Sequence, residues 1–181
     1  MKNEPIILIG PMKAGKSTVG RLLAERLDLP YVSLDGLERP YIESAGFDED
    51  VANKIRAEEG ILAWYGYRRG FFDTAVVQFL AEHSQGILDL GGGHPILPDG
   101  AKQARVNEAL APYRHVVLLL PIPDPQEALQ ILKTRQKPQY LNPDLNELFL
   151  ADNRFLEMAK HVFYTEGKTA EETCAEIIQA L

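Results

Sequence analysis

Sulfur chemistry is almost absent from this chain. Its 181 residues include one cysteine, Cys174, so no intrachain disulfide can form and no cysteine pair can hold zinc. Cys174 falls in a late helical pattern, where packing is its expected role. The four histidines are scattered, without the H-x-x-x-H or H-E-x-x-H spacing of a metal site. No nucleophile elbow is present. No apolar run is long enough to cross a membrane and nothing resembles a signal peptide, so a cytoplasmic protein without a membrane partner is expected. Positive charge is in deficit. There are 19 Lys and Arg against 26 Asp and Glu, a net charge of -7, which argues against general affinity for nucleic acid. Internal repeats and long flexible linkers are also missing. What remains is a chain of ordinary hydrophobic content, 45%, long enough for one domain over 1–181 with a real core.

Against these absences stands one strong motif. Gly10-Pro11-Met12-Lys13-Ala14-Gly15-Lys16-Ser17-Thr18 matches G-x-x-x-x-G-K-[ST] at every fixed position. The apolar run Ile6–Ile9 precedes it, and Val19, Leu22, Leu23 and Leu27 follow at helical spacing. Strand, glycine-bearing loop and helix in that order make a cradle for a triphosphate. Successive backbone N–H groups and the positive helix end hold the anion. The expected binding residues are Met12, Lys13, Ala14, Gly15, Lys16, Ser17 and Thr18. Lys16 would lie between the β- and γ-phosphates, Ser17 would offer its hydroxyl to Mg²⁺, and Thr18 would stand near the α-phosphate. Lys13 could face either solvent or a phosphate.

Farther along, Tyr31–Leu34 reads as a second strand ending in an Asp35-Gly36 turn. Residues 37–83 read as helical with breaks at Pro40, Gly46, Gly60, Gly66 and Gly70, a long insertion suited to substrate binding. Gly86–Leu90, Val116–Leu120 and His161–Thr165 read as strands. Helical patterns cover 101–111, 125–134, 145–160 and 169–181, and residues 135–146 are polar and turn-rich. Strands alternating with helices predict an α/β fold, a parallel sheet with helices on both faces. Ligands in such sheets sit beyond the carboxyl ends of the strands. The phosphate loop, Asp35, Asp89 and Gly91-Gly92-Gly93 all fall there.

Each of these residues has a bland reading beside a chemical one. Asp35 could orient or deprotonate a substrate hydroxyl, or serve its turn. Asp89 interrupts an apolar strand and needs a partner; Mg²⁺ or Ser17 would serve, as would backbone amides. Gly91, Gly92 and Gly93 allow close backbone approach to a small polar ligand, or make a flexible turn. His94 could touch the same ligand, and an exposed or locally bonded ring would account for it equally. Arg68 and Arg69, within the aromatic cluster Trp64, Tyr65, Tyr67, Phe71 and Phe72, could clamp a carboxylate bidentately; the sequence does not choose between them. Arg135 and Lys137 could close over the nucleotide with a lid at about 135–146 and exclude water, or belong to an exposed basic loop. Arg154 could reach the pocket or pair with Asp152 or Glu157.

Three pieces, GPMKAGKSTVGRLLAERLDLPYVSLD, ILDLGGG and TRQKP, together make the chain similar to the shikimate kinase family and related small-molecule kinases. The resemblance spans most of the chain. It implies a three-layer phosphate-loop kinase fold with a five-stranded parallel sheet. It also implies ATP- and Mg²⁺-dependent transfer of the γ-phosphoryl group to a hydroxyl of a small carboxylated ring, in an enzyme able to act as a monomer. Lys16, Asp35 and Arg135 become the expected catalytic groups, and Arg135 also contacts nucleotide. Asp35, Arg68, Arg69, Gly91 to Gly93 and Arg154 become the expected acceptor contacts. The departures are specific. The family ends its second strand with two aspartates one residue apart, and the first position here is Ser33. Asp89 is the candidate replacement beside Ser17 at the metal. Arg68-Arg69-Gly70-Phe71-Phe72-Asp73 is out of register with the family's Phe-Arg and Glu, and Arg154-Phe155-Leu156-Glu157 is shorter than the family's Arg-Pro-Leu-Tyr stretch. Two other readings stand beside kinase activity: a nucleotide-binding regulatory or interaction protein that has lost transfer, and a simple NTPase.

Overall fold

The computed structural model describes residues 4–137, 144–151 and 153–181. Five strands form its centre: β1 (Ile6–Ile9), β2 (Tyr31–Ser33), β3 (Ile87–Asp89), β4 (His115–Leu120) and β5 (His161–Tyr164). Their order is β2-β3-β1-β4-β5 and every neighbouring pair is parallel. The apolar runs account for this. β1 and β3 are buried throughout, which a strand tolerates only when both sheet faces are covered.

Alternation along β1 divides the core. Ile7 and Ile9 face one side, with Leu88, Phe72, Val76, Phe79, Ile42 and Val106. Ile6 and Leu8 face the other, with Val19, Leu23, Leu119, Cys174 and Ile177. The first side is covered by α2 (Leu34–Ser44), α5 (Phe72–Glu82) and α6 (Gly100–Leu110), the second by α1 (Lys16–Leu27) and α10 (Ala170–Ala180). Cys174 is fully buried, as its packing role requires. Thr169 and Glu172 close a reciprocal capping box at the start of α10. The remaining helices are α3 (Glu49–Glu58), α4 (Ile61–Arg69), α7 (Pro125–Arg135), α8 (Leu145–Phe149) and α9 (Arg154–Met158).

Four local expectations change. The Asp35-Gly36 turn is instead the first turn of α2, which runs on through Pro40. Burial of Leu34, Tyr41 and Ile42 on that helix outweighs the lost proline N–H, so tertiary packing overrides the local breaker. Gly66 likewise lies inside α4 rather than between helices. The stretch 145–160 is two five-residue helices, not one. Phe149, Phe155 and Met158 all reach the core, and Leu150, the C-cap of α8, has left helical geometry. Arg135 belongs to the last turn of α7 rather than to the polar segment after it.

Helix α1 packs closely on the sheet at Gly20. A Cβ there would lie 2.7 Å from the Tyr31 ring and 2.9 Å from Leu8 Cδ1. Alanine gains roughly 1 kcal/mol of helix propensity over glycine, but overpacking costs about 1–3 kcal/mol. Gly20→Ala is therefore expected to lower the melting temperature by a few degrees, on the order of 2–4 °C per kcal/mol at this size. A calorimetric scan showing a higher melting temperature would refute this packing argument.

Candidate active site

The phosphate loop leaves β1 and feeds directly into α1. Gly15 sits at φ 100 before the first helical residue, a conformation that favours glycine. Lys13 also has a positive φ, 66. Lys16 is buried and donates from Nζ to the Pro11 carbonyl at 2.9 Å. Burial pulls its pKa down, against the carboxylates of Asp89 and Asp35, which raise it. Polyphosphate charge near that ammonium would act in the same direction as the carboxylates.

Asp89, at the end of β3, is completely buried. Its Oδ2 accepts from Ser17 Oγ at 3.0 Å and from Tyr31 Oη at 2.8 Å. Its Oδ1 accepts from the Gly91 N–H at 2.9 Å. Ser33 and Asp89 are register partners across the β2–β3 pair. The carboxylate missing from position 33 thus has a counterpart directly opposite, on the neighbouring strand. Oxygen donors such as the Ser17 hydroxyl and the Asp89 carboxylate suit Mg²⁺.

Lys16, Ser17, Asp35 and Gly92 line one cleft of about 410 Å³, with Met12, Lys13, Gly15 and Thr18. A second cleft of about 280 Å³ runs past Lys13, Ala14, Gly15 and Thr18 to Arg135, Thr165 and Lys168. Arg135 pairs there with Glu166 and approaches Thr165 Oγ1 at 3.4 Å. Lys137 is exposed, and residues 138–143 of the expected lid lie outside the described residues. Just beyond them, Asn146 is fully buried. It accepts from the Met12 N–H at 2.9 Å and donates to the Met12 carbonyl at 3.2 Å, which fastens α8 to the phosphate loop.

The triple glycine is an ordered, buried turn. Of its three residues only Gly92 lines the cleft. A Cβ on Gly93 would run into the Tyr65 hydroxyl and Phe149, and one on Gly92 into Met12. Gly91, at φ 70, lets Asp35 and His94 approach each other. His94 is buried, with Nε2 2.8 Å from Glu38 Oε2 and Nδ1 3.4 Å from Asp35 Oδ1.

The three arginines separate. Arg68 donates to Glu38 Oε1 at 2.5 Å and lies 4.8 Å above the Trp64 ring. Arg69 is buried, donates to the Ile96 carbonyl at 2.6 Å and lies over Tyr65. Arg154 donates to the next carbonyl, Leu97. Arg69 and Arg154 therefore converge on residues 96–97, while Arg68 turns to Glu38. Asp152, a possible partner for Arg154, lies outside the described residues. Trp64 and Tyr65 pack against arginines, Phe72 and Phe149.

Glu38, Tyr31 and Asn146 were not singled out as functional by the sequence reading. A trace of Glu38 exists: once α2 starts at Leu34, Asp35 and Glu38 are three apart and share a helix face. Nothing in the sequence marks Asn146 or the Tyr31 hydroxyl.

A phosphate loop before a helix, a five-stranded parallel sheet in this order and an aspartate facing the same cleft define a small-molecule kinase of the phosphate-loop class. The family model described as "Shikimate kinase" matches residues 12–181. The shikimate kinase of Streptomyces coelicolor is 34% identical, over 97% of this chain and 94% of that protein. That of Stenotrophomonas maltophilia is 28% identical, over 97% and 91%. The structure of the Acinetobacter baumannii shikimate kinase in complex with shikimate superposes with a TM-score of 0.62 at 25% identity, covering 98% of this chain and 92% of that one. The chain belongs to the shikimate kinase family. No helix among the described residues is long and apolar enough to cross a membrane.

Burial works to raise the Glu38 pKa, but its bonds to His94 and Arg68 hold it below the ordinary 4.5. A depressed folded-state pKa contributes stability above the unfolded-state value, and that stability is lost as pH falls through the folded-state value. Glu38→Gln is expected to be less stable than wild type at pH 7, with the difference shrinking as pH drops below about 4.3. Urea melts across pH 3–7 would read this; a constant difference over the range would refute it.

Proposed function

We propose that this chain is an ATP- and Mg²⁺-dependent kinase whose acceptor is a hydroxyl of a small carboxylated metabolite, with shikimate the first candidate. The observation that carries this reading is the shared cleft. Lys16 and Ser17, suited to the donor, and Asp35, suited to an acceptor hydroxyl, line the same space. The likeness to shikimate kinases, one of them solved with shikimate, supports the choice of first acceptor.

In this reading the backbone from Met12 to Gly15, with Lys16, Ser17 and Thr18, holds the phosphates. Asp35 accepts the acceptor hydroxyl proton as the new O–P bond forms and the bond from γ-phosphorus to the ADP oxygen breaks. Lys16 meets the developing phosphoryl charge. Arg135 borders the nucleotide side and belongs to a lid over about 135–146, which excludes water. Mg²⁺, when bound with the nucleotide, supplies charge neutralisation at the phosphates; Ser17 and Asp89 are the residues that would hold it. The helices over 37–83 form the acceptor side of a single domain, where Arg68, Arg69, Arg154 and the glycine turn Gly91 to Gly93 serve the acceptor, Gly92 at the cleft itself and Gly91 and Gly93 by shaping the turn. The protein acts as a cytoplasmic monomer. One observation favours a variation on this reading: Glu38 already neutralises Arg68, so the acceptor can be a hydroxy acid other than shikimate.

An acceptor screen for ADP release with ATP and Mg²⁺ tests the reading, starting with shikimate and continuing through related hydroxy acids and sugar acids. Acceptor-dependent ADP is expected. Nucleotide binding with no acceptor-dependent ADP from any compound would overturn kinase activity, and equal ADP release without acceptor would make the protein an NTPase.

The metal assignment needs a mild variant. Alanine at position 89 would leave the buried Gly91 N–H unpaired, at about 1–3 kcal/mol, and would also release the partly buried Ser17 and Tyr31 hydroxyls. Asp89→Asn keeps the shape and removes the charge. Calorimetry of nucleotide binding with and without Mg²⁺ is expected to show that the variant loses most of the Mg²⁺-dependent gain in affinity while Mg²⁺-free binding persists. An undiminished Mg²⁺ effect would show that the carboxylate lies outside the metal's reach.

A further inference from the structure

His94 has no part in the roles assigned so far, yet its surroundings leave its ring almost no freedom. It directly follows the triple glycine and is 5% exposed. Phe72 lies against one side, with ring centroids 4.4 Å apart. Nε2 is hydrogen-bonded to Glu38 Oε2 at 2.8 Å, and the other Glu38 oxygen is bonded to Arg68. Nδ1 stands 3.1 Å from the Leu90 carbonyl. A carbonyl only accepts, so the hydrogen-bond network assigns an N–H to Nδ1. That N–H is taken by the Leu90 carbonyl; Asp35 Oδ1 lies 3.4 Å from Nδ1 as a close polar contact against the same ring edge. Rotating the ring would break the Glu38 bond, and tilting it would meet Phe72.

Asp35 is the opposite case. Its side chain is 57% exposed, and among the described residues its carboxylate has no hydrogen-bond or ion-pair partner except His94. A carboxylate at the mouth of a cleft with no fixed neighbour would sample several rotamers. Gly91 makes the pairing possible, because a Cβ there would collide with Asp35 Oδ1 and come within 2.8 Å of His94 Nδ1. The chain Arg68–Glu38–His94 also places three charged or polar groups in a largely buried region. Apolar residues often fill such a region at no loss of stability, so stability alone does not account for the chain.

We propose that His94 is a positioning residue for Asp35. Its fixed Nδ1 edge, held by the Leu90 carbonyl, lies against Oδ1, selects one rotamer of the carboxylate and leaves Oδ2 facing the acceptor hydroxyl. Glu38 and Arg68 act one step behind by fixing the ring. This rests on the reading that Asp35 receives the acceptor hydroxyl. The groups facing the ring are Asp35 and Glu38 from α2, with Arg68 of α4 behind Glu38 and the Leu90 carbonyl beneath.

The test compares His94→Leu, which removes both ring nitrogens at similar bulk, with His94→Asn, which can restore an N–H donor near Nδ1. With the acceptor that wild type turns over, His94→Leu is expected to lose about 10- to 100-fold in kcat, the scale of a misplaced catalytic group, with KM for ATP close to wild type and a lower melting temperature, because Glu38 loses one of its two bonds. His94→Asn is expected to recover most of that loss. A second readout needs no acceptor: the Asp35 carboxyl ¹³C resonance, assigned by its disappearance in Asp35→Asn, should move in His94→Leu and return toward the wild-type position in His94→Asn. A folded His94→Leu with wild-type kcat and an unmoved resonance overturns the proposal. If no acceptor is turned over by wild type, kinase activity fails separately and the resonance alone decides the role of His94. If His94→Leu does not fold, Glu38→Gln takes its place, since it loosens the same ring from the Nε2 side; an unmoved Asp35 resonance in that variant overturns the proposal equally.

Discussion

A single buried carboxylate holds the two halves of this site together. Asp89 ends the strand beside the phosphate loop and accepts from three donors belonging to three different parts of the chain: Ser17 of α1, Tyr31 of β2 and the backbone of Gly91. Each bond is long-range or constrains a turn, and together they satisfy both oxygens of a carboxylate that is itself fully buried. A buried carboxylate with fewer donors would carry a large desolvation cost; with three it fixes its neighbours to one another. The start of α1, the edge strand and the glycine turn are thus placed by one group. Gly20 shows the same constraint from below, because α1 lies so close to the Tyr31 ring that no Cβ fits between them.

This arrangement gives a physical reading of the serine at position 33. The second strand ends in Ser33 and the third in a carboxylate, Asp89, which is the register partner of Ser33; the proposed metal role of Asp89 rests on that placement. Adjacent parallel strands lie about 4.8 Å apart, so a carboxylate can change strands and still address nearly the same space. The change has a structural consequence. On β2, whose residues are all partly exposed, such a group would face solvent, whereas on β3 it is enclosed. The Asp89 carboxylate therefore needs partners of its own, and the Tyr31 hydroxyl and Gly91 N–H supply them.

Much of this architecture was legible in the sequence because its signals are local. The phosphate loop has fixed spacing, and β1, β3 and β4 are apolar runs bounded by turn residues. The sheet and the position of Lys16, Ser17, Asp35 and Asp89 at its carboxyl edge follow from those signals. The failures have a common cause. Pro40 and Gly36 spoke for a break near Asp35, yet the burial of Leu34, Tyr41 and Ile42 imposed a helix through them. The pairing of Glu38 with His94 spans 56 positions and that of Asn146 with Met12 spans 134. No local pattern encodes such partners. The choice between Arg68 and Arg69 was equally hidden, since it depends on Glu38 facing one of them and the Ile96 carbonyl facing the other.

The proposed acceptor side is organised by the loop over residues 91–97 rather than by the helices that carry its charges. Gly91 gives Asp35 and His94 room, His94 ties to Glu38, Ile96 accepts from Arg69, and Leu97 accepts from Arg154. The loop is itself pinned from α6, where Gln103 accepts from the Leu97 N–H and donates to the Pro95 carbonyl. Charges borne by α2, α4 and α9 are therefore indexed to one backbone segment that continues directly from β3 and Asp89. A small displacement of that segment moves Asp35 and both converging arginines together. The register between the phosphate loop and the acceptor groups is then set once, at Asp89, and passed along the glycine turn. Divergence at Glu38, His94 or Arg68 can reshape the acceptor pocket without disturbing the cradle for the phosphates.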